Sequence, residues 1–199
     1  MTKLVVATQN MNKLREIASV LNFEGWTFHT LAELGSRSNP VEDANDFVGN
    51  ARIKARAAHL DCGCAALADD SGLVVDALGG APGVFSARYS GANATDESNN
   101  AKLLLELKDV PTQDRTAHFV CAIVFIDTNG SEYVAQGRVD GRIAFQASGD
   151  GGFGYDPLFY PDYYKGKLSM AQLTHQQKNA ISHRGCALKK LFQIISNKS

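Results

Sequence analysis

The chain has 199 residues, of which 44% are hydrophobic, 21% charged and 9% aromatic, the composition of a globular protein and not of a fibre or a disordered tail. Lys and Arg total 20 against 21 Asp and Glu, a formal net charge of -1. No block of five like charges occurs, so the footprint of a nucleic-acid coat is missing and no nucleic-acid partner is expected. A chain of this length buries on the order of 70% of its unfolded surface, so neither disulfides nor a structural metal are required, and a single domain over residues 1–199 is expected. Of Cys62, Cys64, Cys121 and Cys186, only the first two are close in sequence, and a lone Cys-x-Cys lacks the second ligand pair of a zinc site. Reduced thiols fit the cytosol. The opening MTKLVVATQN turns polar too early for a signal peptide, and no stretch reaches about 18 apolar residues; a cytoplasmic protein with no membrane partner is expected.

In chain order, Leu4 to Thr8 predicts a short strand and Gln9 to Asn12 a polar turn. Leu14, Ile17, Ala18 and Leu21 then fall at i, i+3, i+4 and i+7, one face of a helix. The spacing of Phe47, Ala51, Ala55 and Ala58 predicts a second helix over Phe47 to Leu60 with a narrow stripe of small residues. Ala65 to Ala68 predicts a short buried strand that delivers Asp69 and Asp70 at its end. Gly79-Gly80-Ala81-Pro82-Gly83 must be loop, and Thr95 caps a helix through Leu107. Both alternating sets from Ala117 to Ile126 are mostly apolar, which marks a strand covered on both faces at the sheet's centre. Asn129-Gly130 predicts a two-residue hairpin turn, with φ > 0 at both positions, leading into a strand over Glu132 to Val139. Leu188, Leu191, Phe192 and Ile195 share one face of a final helix, with Lys189 and Lys190 outside. A mixed-sheet α/β fold follows.

Five segments carry candidate chemistry. In Thr8-Gln9-Asn10-Met11-Asn12-Lys13, free N–H groups at a helix start, a hydroxyl, an amide and an ammonium suit phosphate. Lys13 in a first helical turn opposes the macrodipole by about 0.3–1 kcal/mol, which a bound anion would offset; a solvated turn with a surface lysine reads the same. Asp69 and Asp70 follow an apolar run, and because adjacent strand residues point to opposite faces, only one of them aims into a given site. Glu42 can join it as the hard oxygen donor set that Mg²⁺ prefers; a strand ending in a capped acidic turn is the plain alternative. Lys54, one turn beyond Asn50 on the same helix face, can reach the same phosphates. Gly149 to Gly154 matches G-x-G-x-x-G but is followed by Pro157 and Pro161 instead of a helix, so it is not a dinucleotide fingerprint. It reads instead as a flexible loop presenting Phe153, Tyr155 and Asp156 to a base, with structural filler as the alternative. Ser182-His183-Arg184-Gly185, with Lys178 upstream, is a donor-rich segment at or near the last helix, whose start Thr174 to Gln177 can box earlier.

In this order the segments resemble the noncanonical purine nucleoside triphosphate pyrophosphatases, the family of ITP, dITP and XTP pyrophosphatases. The matching pieces are Thr8, Asn10 and Lys13 as T-x-N-x-x-K, Ala68 to Leu73 as A-D-D-S-G-L, and Ala77 to Gly83 as A-L-G-G-A-P-G. Ser86 to Gly91 as S-A-R-Y-S-G, Phe153 to Pro157 as F-G-Y-D-P, and Ile181 to Gly185 as I-S-H-R-G complete the set. One such match recurs by chance; six in order are specific. The resemblance implies an elongated mixed α/β fold with two lobes flanking a nucleotide-binding cleft, a homodimer, Mg²⁺, and hydrolysis of a triphosphate to monophosphate and pyrophosphate, which removes deaminated purines from the nucleotide pool. It further implies that Asp70 is the general base and a metal ligand with Glu42. Thr8, Gln9, Asn10, Met11, Asn12, Lys13, Lys54 and Ser71 would hold the triphosphate, and Phe153, Gly154, Tyr155, Asp156, Lys178, His183 and Arg184 the nucleoside. Three positions depart from the pattern: Gly49 stands where the family often has Glu, and Gln172 and Gln177 where it often has acids. A pyrophosphatase for pyrimidine or modified nucleotides and a nucleotide sensor without catalysis are the competing expectations.

Overall fold

The computed structural model describes residues 1–20 and 25–197. Six strands form one mixed sheet in the order β2-β1-β3-β4-β5-β6, comprising β1 (Thr2–Val6), β2 (Trp26–Thr30), β3 (Ala65–Val75), β4 (Thr116–Ile126), β5 (Glu132–Ile143) and β6 (Phe159–Pro161). The helices are α1 (Met11–Val20), α2 (Phe47–Cys62), α3 (Asp96–Glu106), α4 (His175–Ile181) and α5 (His183–Ser196). β1 runs parallel to both neighbours, with Leu4 beside Phe28 and Ala65, whereas β6 returns antiparallel on β5. The chain divides into two compact units. One comprises Met1–Asp70, Cys121–Gly137 and Arg184–Ser199; the other comprises Ser71–Val120 and Arg138–His183.

The first unit is a three-layer sandwich, and the period of its strands shows why. Leu4, Val6, Ala65, Leu67, Cys121, Ile123 and Phe125 pack with Ile17 of α1 and with Ala187, Leu188 and Leu191 of α5. The alternate residues Val5, Ala66, Ala68, Ala122, Val124 and Ile126 pack with Ala51, Ala55 and Ala58 of α2. A strand buried on both faces needs apolar residues at successive positions, and β1, β3 and β4 supply them. The small-residue stripe of α2 and the central place of β4 match the sequence expectation. Three details differ. Ala18 is exposed, because the buried face of α1 turns toward Glu16 and Ile17, with Glu16 paired to Arg184; Leu21 lies outside the described residues. Phe192 is 45% exposed at the margin of the α5 face that buries Leu188 and Leu191. The β4–β5 connection is a five-residue loop and not a two-residue turn: Gly130 has φ +83 and Asn129 is not in the left-handed region. There the Asp127 carboxylate accepts from the N–H groups of Asn129 and Ser131 at 2.8 and 2.9 Å.

The second unit packs one apolar sheet face. Leu73, Val75, Ala117, Phe119, Val139, Ile143 and Phe159 meet Leu103 of α3, with Leu107, Tyr155, Leu158 and Met170 around them. Along β5 buried and exposed residues alternate from Ala135 to Ile143, the pattern of a sheet covered on one side. β6 approaches β5 closely only because Gly141 lacks a side chain: a Cβ there would lie 2.3 Å from the Tyr160 carbonyl oxygen and 2.7 Å from the Phe159 ring. Thr95 caps α3 through the Ser98 N–H, and the glycine segment around a cis Ala81-Pro82 bond is loop and short 3₁₀ turns, as expected. One correction concerns β3. It does not end at Ala68 but continues through Asp69 and Asp70 to Val75, so both acids lie inside a strand and are covered.

Candidate functional site

In the first unit, three segments converge on the acids of β3. Asp69 and Asp70 have separate partner sets, as opposite faces of a strand require. Asp70 Oδ2 accepts from Asn50 Nδ2 at 3.3 Å and Oδ1 faces Lys54 Nζ at 3.3 Å. Lys54 Nζ also meets Glu42 Oε2 at 2.7 Å, and Asn50 Oδ1 accepts the Ala44 N–H at 3.0 Å, tying the Glu42 loop to α2. Burial pushes the Asp70 carboxyl above its ordinary 3.8, opposed by the Lys54 and Lys13 ammonium groups. For Lys54, burial acts downward, but Asp70, Asp69 and Glu42 together raise its pKa. A carboxylate whose proton affinity is raised, beside the Lys54 ammonium whose charged form is favoured, can accept a proton next to a bound polyanion.

Asp69 is fully buried. Its Oδ2 accepts from Arg184 Nη2 at 2.9 Å and Nε at 3.1 Å, and Lys13 Nζ lies 3.2 Å from the same oxygen. Arg184 also pairs with Glu16. Burial acts downward on the Arg184 guanidinium, but Asp69 and Glu16 hold its pKa well above the usual range. Thr8, Gln9 and Asn10 form the turn into α1, whose first residues are Met11 and Asn12. Asn10 is its cap, with Oδ1 accepting the N–H groups of Asn12 and Lys13 at 2.9 and 3.2 Å, while Asn10 N–H donates to Thr8 Oγ1 at 3.2 Å.

In the second unit, Ser71 follows on β3 and the glycine segment 149–154 forms a pinned loop. Lys178 Nζ, buried on α4, lies 2.7 Å from Asp156 Oδ2 and 4.4 Å from the Phe153 ring centroid, and the same carboxylate oxygen accepts the Phe153 N–H at 2.9 Å. Gly152 must be glycine, since a Cβ would sit 2.2 Å from Asp156 Oδ2. Tyr155 Oη donates to the Ser86 carbonyl at 2.8 Å, and burial raises its pKa. His183 is buried and stacks on Phe119, ring centroids 4.8 Å apart. The structure thus joins Phe153, Asp156 and Lys178 in one cluster.

Sequence reasoning missed Glu16, and no periodicity reveals an acid on the buried face of a helix whose partner comes from the far end of the chain. The three departures have local explanations. Gln172 and Gln177 complete capping boxes with Ser169 and Thr174, a task Gln and Glu perform equally. Gly49 donates to the α2 cap Asp46 at 2.7 Å, and a Cβ there would lie 2.5 Å from Ala44 Cβ.

Among the described residues no group of three or more His, Cys, Asp or Glu is arranged to hold a metal ion. Glu42 and Asp70 nonetheless direct one oxygen each at a common point, the Lys54 ammonium, and two carboxylate oxygens with water and phosphate are a donor set that fits Mg²⁺. No helix among the described residues is long and apolar enough to cross a membrane.

The Ham1 family profile matches residues 4–194. A dITP/XTP pyrophosphatase of Geobacter sulfurreducens is 52% identical over 188 residues, covering 94% of each chain. A dITP/XTP pyrophosphatase of Desulforamulus reducens is 48% identical over 195 residues, 98% of this chain and 96% of that one. Among solved structures, a HAM1 protein from Coxiella burnetii superposes with a TM-score of 0.89 at 41% identity, covering 99% of this chain and 100% of that one.

Proposed function

The chain belongs to the Ham1 family, and from that membership we propose that it is a nucleoside triphosphate pyrophosphatase which hydrolyses noncanonical purine nucleotides. The substrates are dITP and XTP, for which its relatives are named, and ITP, which shares their base edge. The products are the nucleoside monophosphate and pyrophosphate. The observation that carries the reading is Asp70: a covered carboxylate of raised proton affinity, held by Asn50 and Lys54.

Asp70 takes the proton of the water that attacks the α-phosphorus, the role for which a raised carboxyl pKa is suited. Lys54 and Lys13 neutralise charge on the departing pyrophosphate, and Thr8, Gln9, Asn10, Met11, Asn12 and Ser71 contribute donors to the triphosphate. A magnesium ion held by Glu42 and Asp70 would supply further charge neutralisation and a more acidic bound water. The base stacks on Phe153 in the Phe153-Gly154-Tyr155-Asp156 segment. Hypoxanthine and xanthine carry a 6-keto acceptor and an N1–H donor, which match the donors His183, Arg184 and Lys178 and the acceptor Asp156. Adenine reverses both, and each unmatched polar group costs about 1–3 kcal/mol. The reading extends to a cytoplasmic homodimer, supported by the family resemblance, and to a protein without nucleic-acid partners, supported by its balanced charge.

Incubation with Mg²⁺ and, separately, ITP, dITP, XTP, GTP, ATP and dTTP, followed by ion-exchange analysis, tests it. Monophosphate and pyrophosphate from the first three and none from ATP are expected; guanine shares the 6-keto and N1–H edge, so rejection of GTP requires a further contact at its 2-amino group. Orthophosphate and diphosphate would place the attack at the γ-phosphorus and overturn the mechanism.

A further inference from the structure

The loop that carries Phe153 and Asp156 is held largely by its own residues and by the segment 169–172. Ser148 N–H donates to the Pro157 carbonyl at 2.9 Å, Gly151 N–H to Ala171 at 3.1 Å and Leu158 N–H to Tyr155 at 3.0 Å. Gly154 is different. Its N–H donates to Asp96 Oδ2 at 2.6 Å, and its carbonyl accepts from Asn100 Nδ2 at 2.9 Å. Both partners are side chains of α3, four residues apart and therefore on one helix face.

Gly154 has φ +62, and a Cβ on it would meet no atom within 4 Å, so crowding does not explain its left-handed backbone. The α3 pair fixes the peptide units on both sides of it. The unit before Gly154 carries the Phe153 carbonyl, and the unit after it carries the Tyr155 N–H. Phe153 N–H and Lys178 Nζ both converge on Asp156 Oδ2, so a shift at Gly154 displaces the ring, the carboxylate and the ammonium together. Asn100 itself shows an imbalance: its Oδ1 is buried without a hydrogen-bond partner among the described residues. Buried polar atoms are nearly always paired, so the unmatched Oδ1 marks the Asn100 amide as oriented by its bond to the Gly154 carbonyl.

We propose that Asp96 and Asn100 are positioning residues for base recognition, acting through Gly154 to hold Phe153 and Asp156 in register for a purine. The proposal rests on the reading of that segment as the base platform. Asp96 also lies in the first turn of α3, where a carboxylate favours the helix. A purely structural role would therefore appear in thermal stability, and a positioning role in the affinity for the base-bearing substrate.

The experiment uses the full chain with Mg²⁺, steady-state kinetics on ITP and ATP, and inhibition by inorganic tripolyphosphate, which offers the phosphates without a base. Asn100→Asp keeps the shape of the side chain but turns a carboxylate oxygen toward the Gly154 carbonyl. It and Asp96→Ala are expected to raise KM for ITP about tenfold and to erode the preference over ATP, with kcat within about threefold. Inhibition by tripolyphosphate stays at the parent value. Asp96→Asn, which keeps an acceptor for the Gly154 N–H, restores KM while its melting temperature falls. If Asp96→Ala does not fold, Asn100→Asp decides. An unchanged KM in every folded variant, or a loss of tripolyphosphate inhibition equal to the rise in KM, overturns the proposal. Absence of ITP hydrolysis by the parent protein overturns the functional reading, and this proposal with it.

Discussion

Replacing Arg184 by methionine removes the cation shared by two buried carboxylates. Arg184 is 1% exposed and pairs with Asp69 and Glu16. Removing one partner of a buried ion pair costs about 3–5 kcal/mol, because a charge is left in a poor solvent. Lys13 Nζ still lies 3.2 Å from Asp69, which puts the expected cost near the lower end, about 3 kcal/mol. For a chain of this size each kcal/mol moves the melting temperature by about 2–4 °C, so a fall of roughly 6–12 °C is expected. The assay is thermal and urea denaturation of the parent, Arg184→Met, Glu16→Gln and the double variant. The double variant, in which one of the stranded charges is also gone, should be more stable than Arg184→Met, giving a coupling above about 1 kcal/mol. Arg184→Met melting within about 2 °C of the parent, or a double variant no better than the single one, would refute the electrostatic account. Full retention of the preference for ITP over ATP in the folded variant would separately remove Arg184 from the base-binding set.

Asp70→Asn should lower kcat by about 10²–10⁴-fold while making the protein more stable at neutral pH in metal-free buffer. Asp70 in the folded chain titrates above 3.8, so its stabilising contribution is complete below that value and is lost as pH rises through the raised one. The variant never acquires the charge, and its advantage over the parent should vanish on acidification; a lower stability at pH 7 would contradict the burial argument. Gly49→Glu brings a Cβ to 2.5 Å from Ala44 Cβ and is expected to cost about 1–3 kcal/mol, relieved by Ala44→Gly; no change in urea midpoint would mean that the loop before α2 yields freely. Tyr155→Phe removes the 2.8 Å bond to Ser86, yet that carbonyl keeps Asn99 Nδ2 at 3.3 Å. The expected loss is therefore small, about 0.5–1 kcal/mol by chemical denaturation, and a loss several times larger would show that the hydroxyl holds more than this carbonyl.

Elements set by local pattern were legible in the sequence. β1, the turn at Asn10, the alanine stripe of α2, the doubly covered β4 and the caps at Thr95 and Thr174 follow from periodicity and short-range side-chain chemistry. What failed depended on partners remote in the chain. β3 continues past Ala68 because Lys54, Lys13 and Arg184 compensate the two acids, and no local rule supplies such compensation to a strand. The rotation of α1 away from Ala18 has the same origin, since it is Arg184 that makes burial of Glu16 tolerable. The Asn129-Gly130 reading failed for a different reason: the Asp127 carboxylate organises the loop by accepting two backbone N–H groups, which competes with the tight-turn preference of the dipeptide.

The core formed by Leu4 and Ile17 with Ala187, Leu188 and Leu191 joins segments that are remote from each other in the chain. On the ribosome, synthesis at roughly 5–20 residues per second separates Leu4 from Leu191 by on the order of 10–40 s. Throughout that interval one apolar face of β1, β3 and β4 has no α5 to cover it. The order of synthesis thus leaves this core open until α5 has emerged, and the demand on holding chaperones over that interval is set by the length of chain between β1 and α5 and not by the speed at which any single element forms.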